Sequence, residues 1–267
     1  MKKYVSFFKI SFSGTIQYRG AAVAGIITQL FWGFMEIMLF RAFYEADSSA
    51  FPMEFSALCS YIWLQQAFLT LFMIWFFDLK IFKQIQDGGI GYELSRPLEL
   101  YDMWFAGNAA QRMAKATLRC FPVLLVASLL PEPYGLLAPS SVGSFFVFLV
   151  SLFLAFLTVL AFCMLVYITT FYTLSPYGVR IIVTSVTELL TGALIPIPFL
   201  PDWMQDILRF TPFYSMQNLP YRIYSEDIWG TEAALAIILQ LIWVFILIGF
   251  GKLWMKRALK RVVIQGG

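Results

Sequence analysis

Residues 142–168 read VGSFFVFLVSLFLAFLTVLAFCMLVYI, a stretch without one charged side chain. At about 1.5 Å per helical residue it reaches roughly 40 Å, more than the ~30 Å hydrocarbon core of a bilayer. Five further apolar stretches flank it, at about 21–44, 57–79, 108–131, 177–196 and 232–254. The chain is 60% hydrophobic, 18% aromatic and only 13% charged. A soluble domain carries about a quarter charged residues, so a water-facing globule of this composition is excluded. The pattern predicts an all-α polytopic membrane protein with six transmembrane helices, forming a single domain over 1–267.

Basic residues set the expected orientation. Of nineteen Lys and Arg, only Arg41, Arg209 and Arg222 fall in segments assigned to the far side, where Glu45, Asp47, Glu54, Glu132, Asp202, Asp206, Glu226 and Asp227 collect. Lys2, Lys3, Lys9 and Arg19 precede the first span, and Lys252, Lys256, Arg257, Lys260 and Arg261 close the last. The connection after the second span holds Lys80, Lys83 and Arg96. The positive-inside rule places both termini in the cytoplasm and calls for an even number of crossings, which six satisfies. The first apolar span is too long and too far from the terminus for an ordinary cleaved signal peptide, and is expected to remain as the first helix. The net charge of +3 reflects these dispersed loops rather than a basic surface, so no nucleic-acid partner is expected.

What is missing narrows the chemistry. There is no histidine, which removes the usual general base, the commonest metal ligand and the familiar nucleophile triads. Cys59, Cys120 and Cys163 lie in three different spans without ligand spacing and read as small buried residues. No GxxxxGK[ST] loop occurs. The nearest Gly-rich piece, Gly88-Gly89-Ile90-Gly91-Tyr92-Glu93-Leu94, has no lysine to reach a phosphate. Catalytic residues, a metal site and a bound cofactor are therefore not expected, and energy for uphill transport would come from a partner or an ion gradient.

Three segments outside the spans carry pattern. In 1–20, a helix would gather Lys2, Ser6, Lys9, Ser13 and Gln17 opposite Tyr4, Val5, Phe8, Phe12 and Ile16, an amphipathic piece suited to the inner membrane interface. In 80–107, Ile81, Phe82 and Ile85 predict a helix continuing from the second span, stopped by Gly88 and Gly89. Pro97 with Glu99 and Asp102 suits the opening of a second short helix. In 196–231, Pro196, Pro198, Pro201, Pro212 and Pro220 break a segment too apolar for a solvated loop. Asp202 is expected to cap a helix bearing Trp203, Met204, Ile207 and Leu208, with Gln205 completing a capping box. Two half-helices dipping back into the outer leaflet fit this composition.

Polar residues within the spans share faces: Gln29, Trp32 and Glu36 on the first, Thr184, Thr187, Glu188 and Thr191 on the fifth. An ionised group near the bilayer centre costs at least ~2.5–3.5 kcal/mol, so Glu36 and Glu188 are expected to face protein or water. Two readings stand, a transport path or dimer interface, and hydrogen bonding between helices; Arg119 is a candidate partner for Glu188. Ala21 and Gly25 suit a close helix approach. Trp75, Trp104, Tyr177, Trp203 and Trp254 suit interface anchors.

Ile85-Gln86-Asp87-Gly88 through Glu93-Leu94-Ser95-Arg96-Pro97-Leu98, Leu190-Thr191-Gly192-Ala193-Leu194-Ile195-Pro196 with Phe199-Leu200-Pro201, and the ending 261–267 together resemble the ABC-2 type permeases, in the bacterial branch whose ATPase is a separate chain. The resemblance implies an exporter subunit in the bacterial inner membrane, paired with a second, identical or related permease and a cytoplasmic P-loop ATPase dimer that binds ATP and Mg. It implies that 80–107 holds the ATPase-coupling element, with Gly88, Gly91, Glu93, Leu94, Arg96 and Pro97. It also implies that the outer re-entrant region includes Pro196, Pro198, Pro201 and Trp203. Ser95 and the acidic Ser225-Glu226-Asp227 run depart from the family's pattern. The competing expectation is an ion-coupled secondary transporter or scramblase built around Glu188; an intramembrane enzyme has no residues to support it.

Overall fold

The computed structural model describes residues 2–173 and 175–262, so the last five residues of the resembling tail lie outside the described residues. In chain order the helices are α1 (Lys2–Ile16), α2 (Arg19–Ala46), α3 (Phe55–Ala67), α4 (Leu69–Phe72), α5 (Leu79–Gln86), α6 (Ile90–Leu94), α7 (Leu100–Leu129), α8 (Val142–Thr169), α9 (Pro176–Leu190), α10 (Asp202–Arg209), α11 (Asn218–Tyr224) and α12 (Gly230–Leu259). Among the described residues there is no strand. The architecture is that of an all-α membrane protein.

Among the described residues, three helices are long and apolar enough to cross a membrane: α2, α8 and α12. The other three expected spans are of a different kind. Instead of one helix over 57–79, α3 runs for 13 residues and α4 for 4, separated by a kink at Phe68. The chain from Met73 to Asp78 then leaves the helix altogether. The continuous helix expected to run on from the second span is thus corrected. α9 has 15 residues, about 22 Å of rise. α7 is long enough, at 30 residues, but carries Arg112, Lys115 and Arg119 in mid-helix.

Local chemistry accounts for the ends. Ser141 and Ser144 form a reciprocal capping box that starts α8. Ser175 caps α9 ahead of Pro176, whose fixed φ suits a first helical position. The Asp78 carboxylate accepts from the Lys80 N–H at 3.0 Å to start α5. Gly88, at φ +73°, ends that helix as its composition predicts. The second short helix is not where Pro97 suggested: α6 forms at 90–94, and the residues after Pro97 open the long α7, with Asp102 in its first turn.

Packing centres on α8, whose second half is almost wholly buried against α11 and α12, with α4 and α7 alongside. α1 lies along α7. Tyr4, Phe8, Phe12 and Ile16 of the expected apolar face are half-buried, and Phe7 joins them: it meets Gly107, where an added Cβ would stand 3.1 Å from the ring, and the Tyr4 hydroxyl accepts from the Glu99 N–H at 3.0 Å. Val5, expected on that face, is half exposed. By contrast, α2 buries only Ala22, Gln29, Gly33 and Ile37 along its length. Phe31, Trp32, Met35, Leu39 and Phe43 stand outward, an apolar surface stable only against lipid or protein.

Candidate functional site

One end of the molecule gathers α1, α5, α6, the start of α7 and the ends of α8 and α12. Lys252 pairs with Asp102 at 2.7 Å and ties α12 to α7, while Tyr101 fills the space over Gly251. This basic end carries the 88–97 motif, and the structure divides that motif by exposure. Glu93 is buried rather than presented outward; its carboxylate accepts from Gln84 Nε2 at 3.1 Å and lies 3.5 Å from Arg96. Arg96 also lies over the Tyr92 ring, 5.3 Å from its centroid. Gly88, Leu94 and Pro97 are exposed and Gly91 is half-buried. Tyr92 and Leu79, which the motif reading passed over, are among the most exposed apolar residues here. Two pockets open beside the element. One of about 120 Å³ lies against α1 and α7, lined by Asp78, Lys80, Glu93 and Arg96; one of about 340 Å³ lies against the ends of α8 and α12, lined by Gln86, Thr170, Thr173 and Arg261.

A dense polar cluster lies where this element meets the long helices. The Arg112 guanidinium is 2% exposed. Its Nε donates to Asn108 Oδ1 at 2.7 Å, Nη1 to the carbonyls of Leu71 and Met73 at 2.9 Å each, and Nη2 to the Phe76 carbonyl at 3.1 Å and Cys163 Sγ at 3.3 Å. A guanidinium has five N–H donors, and all are engaged. The Tyr167 hydroxyl accepts from the Asp78 N–H at 2.7 Å and from Asn108 Nδ2 at 3.1 Å, and Gln111 donates to Asp78 Oδ2 at 2.8 Å. Arg112 makes no ion pair among the described residues; carbonyl dipoles surround its charge. Nothing in the local sequence around Arg112 marks it out. The one signal for it was an arginine seven positions before another on a helix, each needing its own compensation.

On α2, Gln29 and Glu36 turn inward but Trp32 does not; the buried line runs through Gly33, against which Trp63 packs with an added Cβ only 2.8 Å from its ring. Gln66 Nε2 reaches Glu36 at 3.4 Å. Among the described residues, both amide ends of the buried Gln29 lack a hydrogen-bond partner. Glu188 does not meet Arg119, which instead lies across α2 and donates to the Ala21 carbonyl at 3.2 Å. Its guanidinium occupies the space beside Gly25, so Ala21 and Gly25 receive a side chain, not a helix backbone. On α9, Thr187 and Thr191 are buried and joined by a Thr191 Oγ1 bond to the Thr187 carbonyl at 2.8 Å; Thr184 and Glu188 are half-buried. The expected faces on α2 and α9 are not brought into contact with one another by any hydrogen bond or ion pair among the described residues.

At the opposite end the proline-rich segment is held by amides. Gln65 Nε2 donates to the Ala193 carbonyl at 2.8 Å, and Gln205 Nε2 to the carbonyls of Pro198 at 3.1 Å and Leu200 at 2.8 Å. Gln205 therefore reaches back over the loop and forms no capping box, and Asp202 sits inside the first turn rather than at the cap. Pro196 and Pro198 are buried, whereas Pro201 and Trp203 are exposed. α11 is buried against α8 and α3, with Tyr61 donating to Asn218 Oδ1 at 3.3 Å and stacking edge-on with Tyr221. Arg222, Asp227 and Tyr214 form a linked group there. Of the expected anchors, Trp75, Tyr177 and Trp203 are exposed, Trp254 is half-buried, and Trp104 is buried against Phe171 and Tyr167. No protein-family model matches the chain, and no curated protein matches it.

Proposed function

We propose that this chain is the permease subunit of an ATP-driven exporter of the ABC-2 type, with six membrane crossings and both termini in the cytoplasm of a bacterial inner membrane. α3 with α4, the apolar half of α7, and α9 complete the crossings begun by α2, α8 and α12, and α11 is one of two outer re-entrant pieces. A second permease completes the path, with the exposed apolar side of α2 and the half-buried Thr184 and Glu188 of α9 facing it. Two P-loop ATPase subunits bind ATP and Mg and drive it. The observation that carries this reading is the folded α5–α6 element at the basic end. It is larger than a hairpin between two membrane helices requires, its inner side is fixed by Gln84, Glu93 and Arg96, and Leu79, Tyr92 and Leu94 are left for a partner. The buried α11 supports the re-entrant part, since irregular backbone at membrane depth needs protein cover.

Docking on this element would pass ATPase closure to the membrane helices and bias which face of the path is open. The test is purification of the tagged chain in mild detergent from its native cell, with mass spectrometry of its partners and ATPase measurement. Recovery of a P-loop ATPase in near-equal amount with vanadate-sensitive activity, lost in a Tyr92→Ala, Leu94→Ala variant, is the expected result. Recovery of the chain alone, with transport that collapses with the proton gradient, would replace this reading by an ion-coupled transporter.

A further inference from the structure

We propose that Arg112, with Asn108 and Tyr167, forms a fixed joint that makes the α5–α6 element move as one piece with α7 and α8, so that the break at 73–78 is a rigid elbow rather than a hinge. A segment that leaves the helix while buried strands carbonyls that no helical N–H reaches. Met73, Ile74 and Phe77 are buried, so water cannot serve as the general donor. Arg112 supplies donors to Leu71, Met73 and Phe76 from a single planar group. Its remaining donors reach back to α7 at Asn108 and across to α8 at Cys163. The Tyr167 hydroxyl then fixes the last residue of the break by accepting the Asp78 N–H, and Asp78 caps α5. Phe77 and Phe82 pack on the Tyr167 ring, with centroids 5.6 and 5.0 Å away. Apart from the bonds by which Asp78 starts α5, the bonds of this cluster that leave 71–78 end on α7 or α8, so a displaced α5 drags both. Lysine cannot replace the guanidinium: it has three donors on a point charge and no planar fork.

The role of the joint in coupling rests on the permease reading, but the joint itself is tested without a partner. Amide hydrogen exchange is followed by mass spectrometry on the full chain in lipid nanodiscs. In Arg112→Met, exchange over 71–86 is expected to rise roughly tenfold or more while peptides of α12 hold their rates. Arg112→Lys should show the same pattern, and Tyr167→Phe, which keeps the ring packing, should raise exchange only around Asp78 and the first turn of α5. Unchanged rates in 71–86, rescue by lysine, or a rise spread evenly over the chain would overturn the joint. If Arg112→Met fails to fold, Tyr167→Phe decides: an unaltered rate at Asp78 would overturn it. Where a partner ATPase co-purifies, Arg112→Met is expected to retain it and its hydrolysis while losing transport. Absence of any ATPase would sink the permease reading and leave the exchange result standing.

Discussion

Two of the buried places where the chain leaves its helices are held by different means. At 73–78 a cationic side chain from a neighbouring helix takes three carbonyls at once. At 191–201 the neutral amides of Gln65 and Gln205 take three carbonyls between them, and Gly192 supplies the turn at φ +75°. The first arrangement concentrates its donors in one residue and links three elements through it. The second divides the task, so that no single side chain holds the loop. A charged donor makes stronger hydrogen bonds but is costly to bury, and it is affordable here because carbonyl dipoles close around it. The contrast teaches that the first break is built to keep its geometry under load, and the second to tolerate the loss of one contact.

The contrast can be broken by substitution. Arg112→Met should have the largest effect, on the order of 3 kcal/mol or more of stability, because it leaves several buried carbonyls without a donor. Thermal unfolding in nanodiscs, followed by tryptophan fluorescence, measures it, and a loss no larger than at the second break would erase the distinction. Gly192→Ala comes next, at about 1–2 kcal/mol, since the left-handed backbone disfavours a side chain and an added Cβ would stand 3.1 Å from Ile197 N and Cγ1. Gln205→Leu should cost about 1 kcal/mol, with the loop still held by Gln65; a loss matching that of Arg112→Met would mean that the second break also rests on one residue. Smallest of all is Arg41→Gln. Its pair with Glu45 is exposed on both sides and is expected to leave the unfolding midpoint where it was, which sets the baseline for the other three.

Parts of this arrangement were legible in advance. Gly88 and Gly89 marked the end of α5, and the apolar runs of α2, α8 and α12 marked long helices, because backbone freedom and hydropathy are local properties. The break after Phe72 was not legible. Residues 69–77 are as apolar as a helix interior, and what ends the helix is a guanidinium from a residue some forty positions later in the chain. Glu93 was read as a docking residue on the strength of its place in a motif, and it is buried because Gln84 and Arg96 are folded onto it. Trp32 fell out of the α2 face because the line Gln29, Gly33, Ile37 steps by four, leaving Trp32, next to Gly33 and about 100° around the helix, on the outer side.

The sequence by itself determined that the chain is helical, that it belongs in a membrane, and that Gly88 and Gly89 end α5, since hydropathy, charge distribution and the conformational freedom of Gly act over a few residues. Only the tertiary structure decided which polar residues are turned inward and what they hold. Whether a buried arginine is a liability or a keystone depends on the acceptors that distant segments bring within hydrogen-bond reach, and the Leu71, Met73 and Phe76 carbonyls acquire their donor only when α7 and α8 close around them.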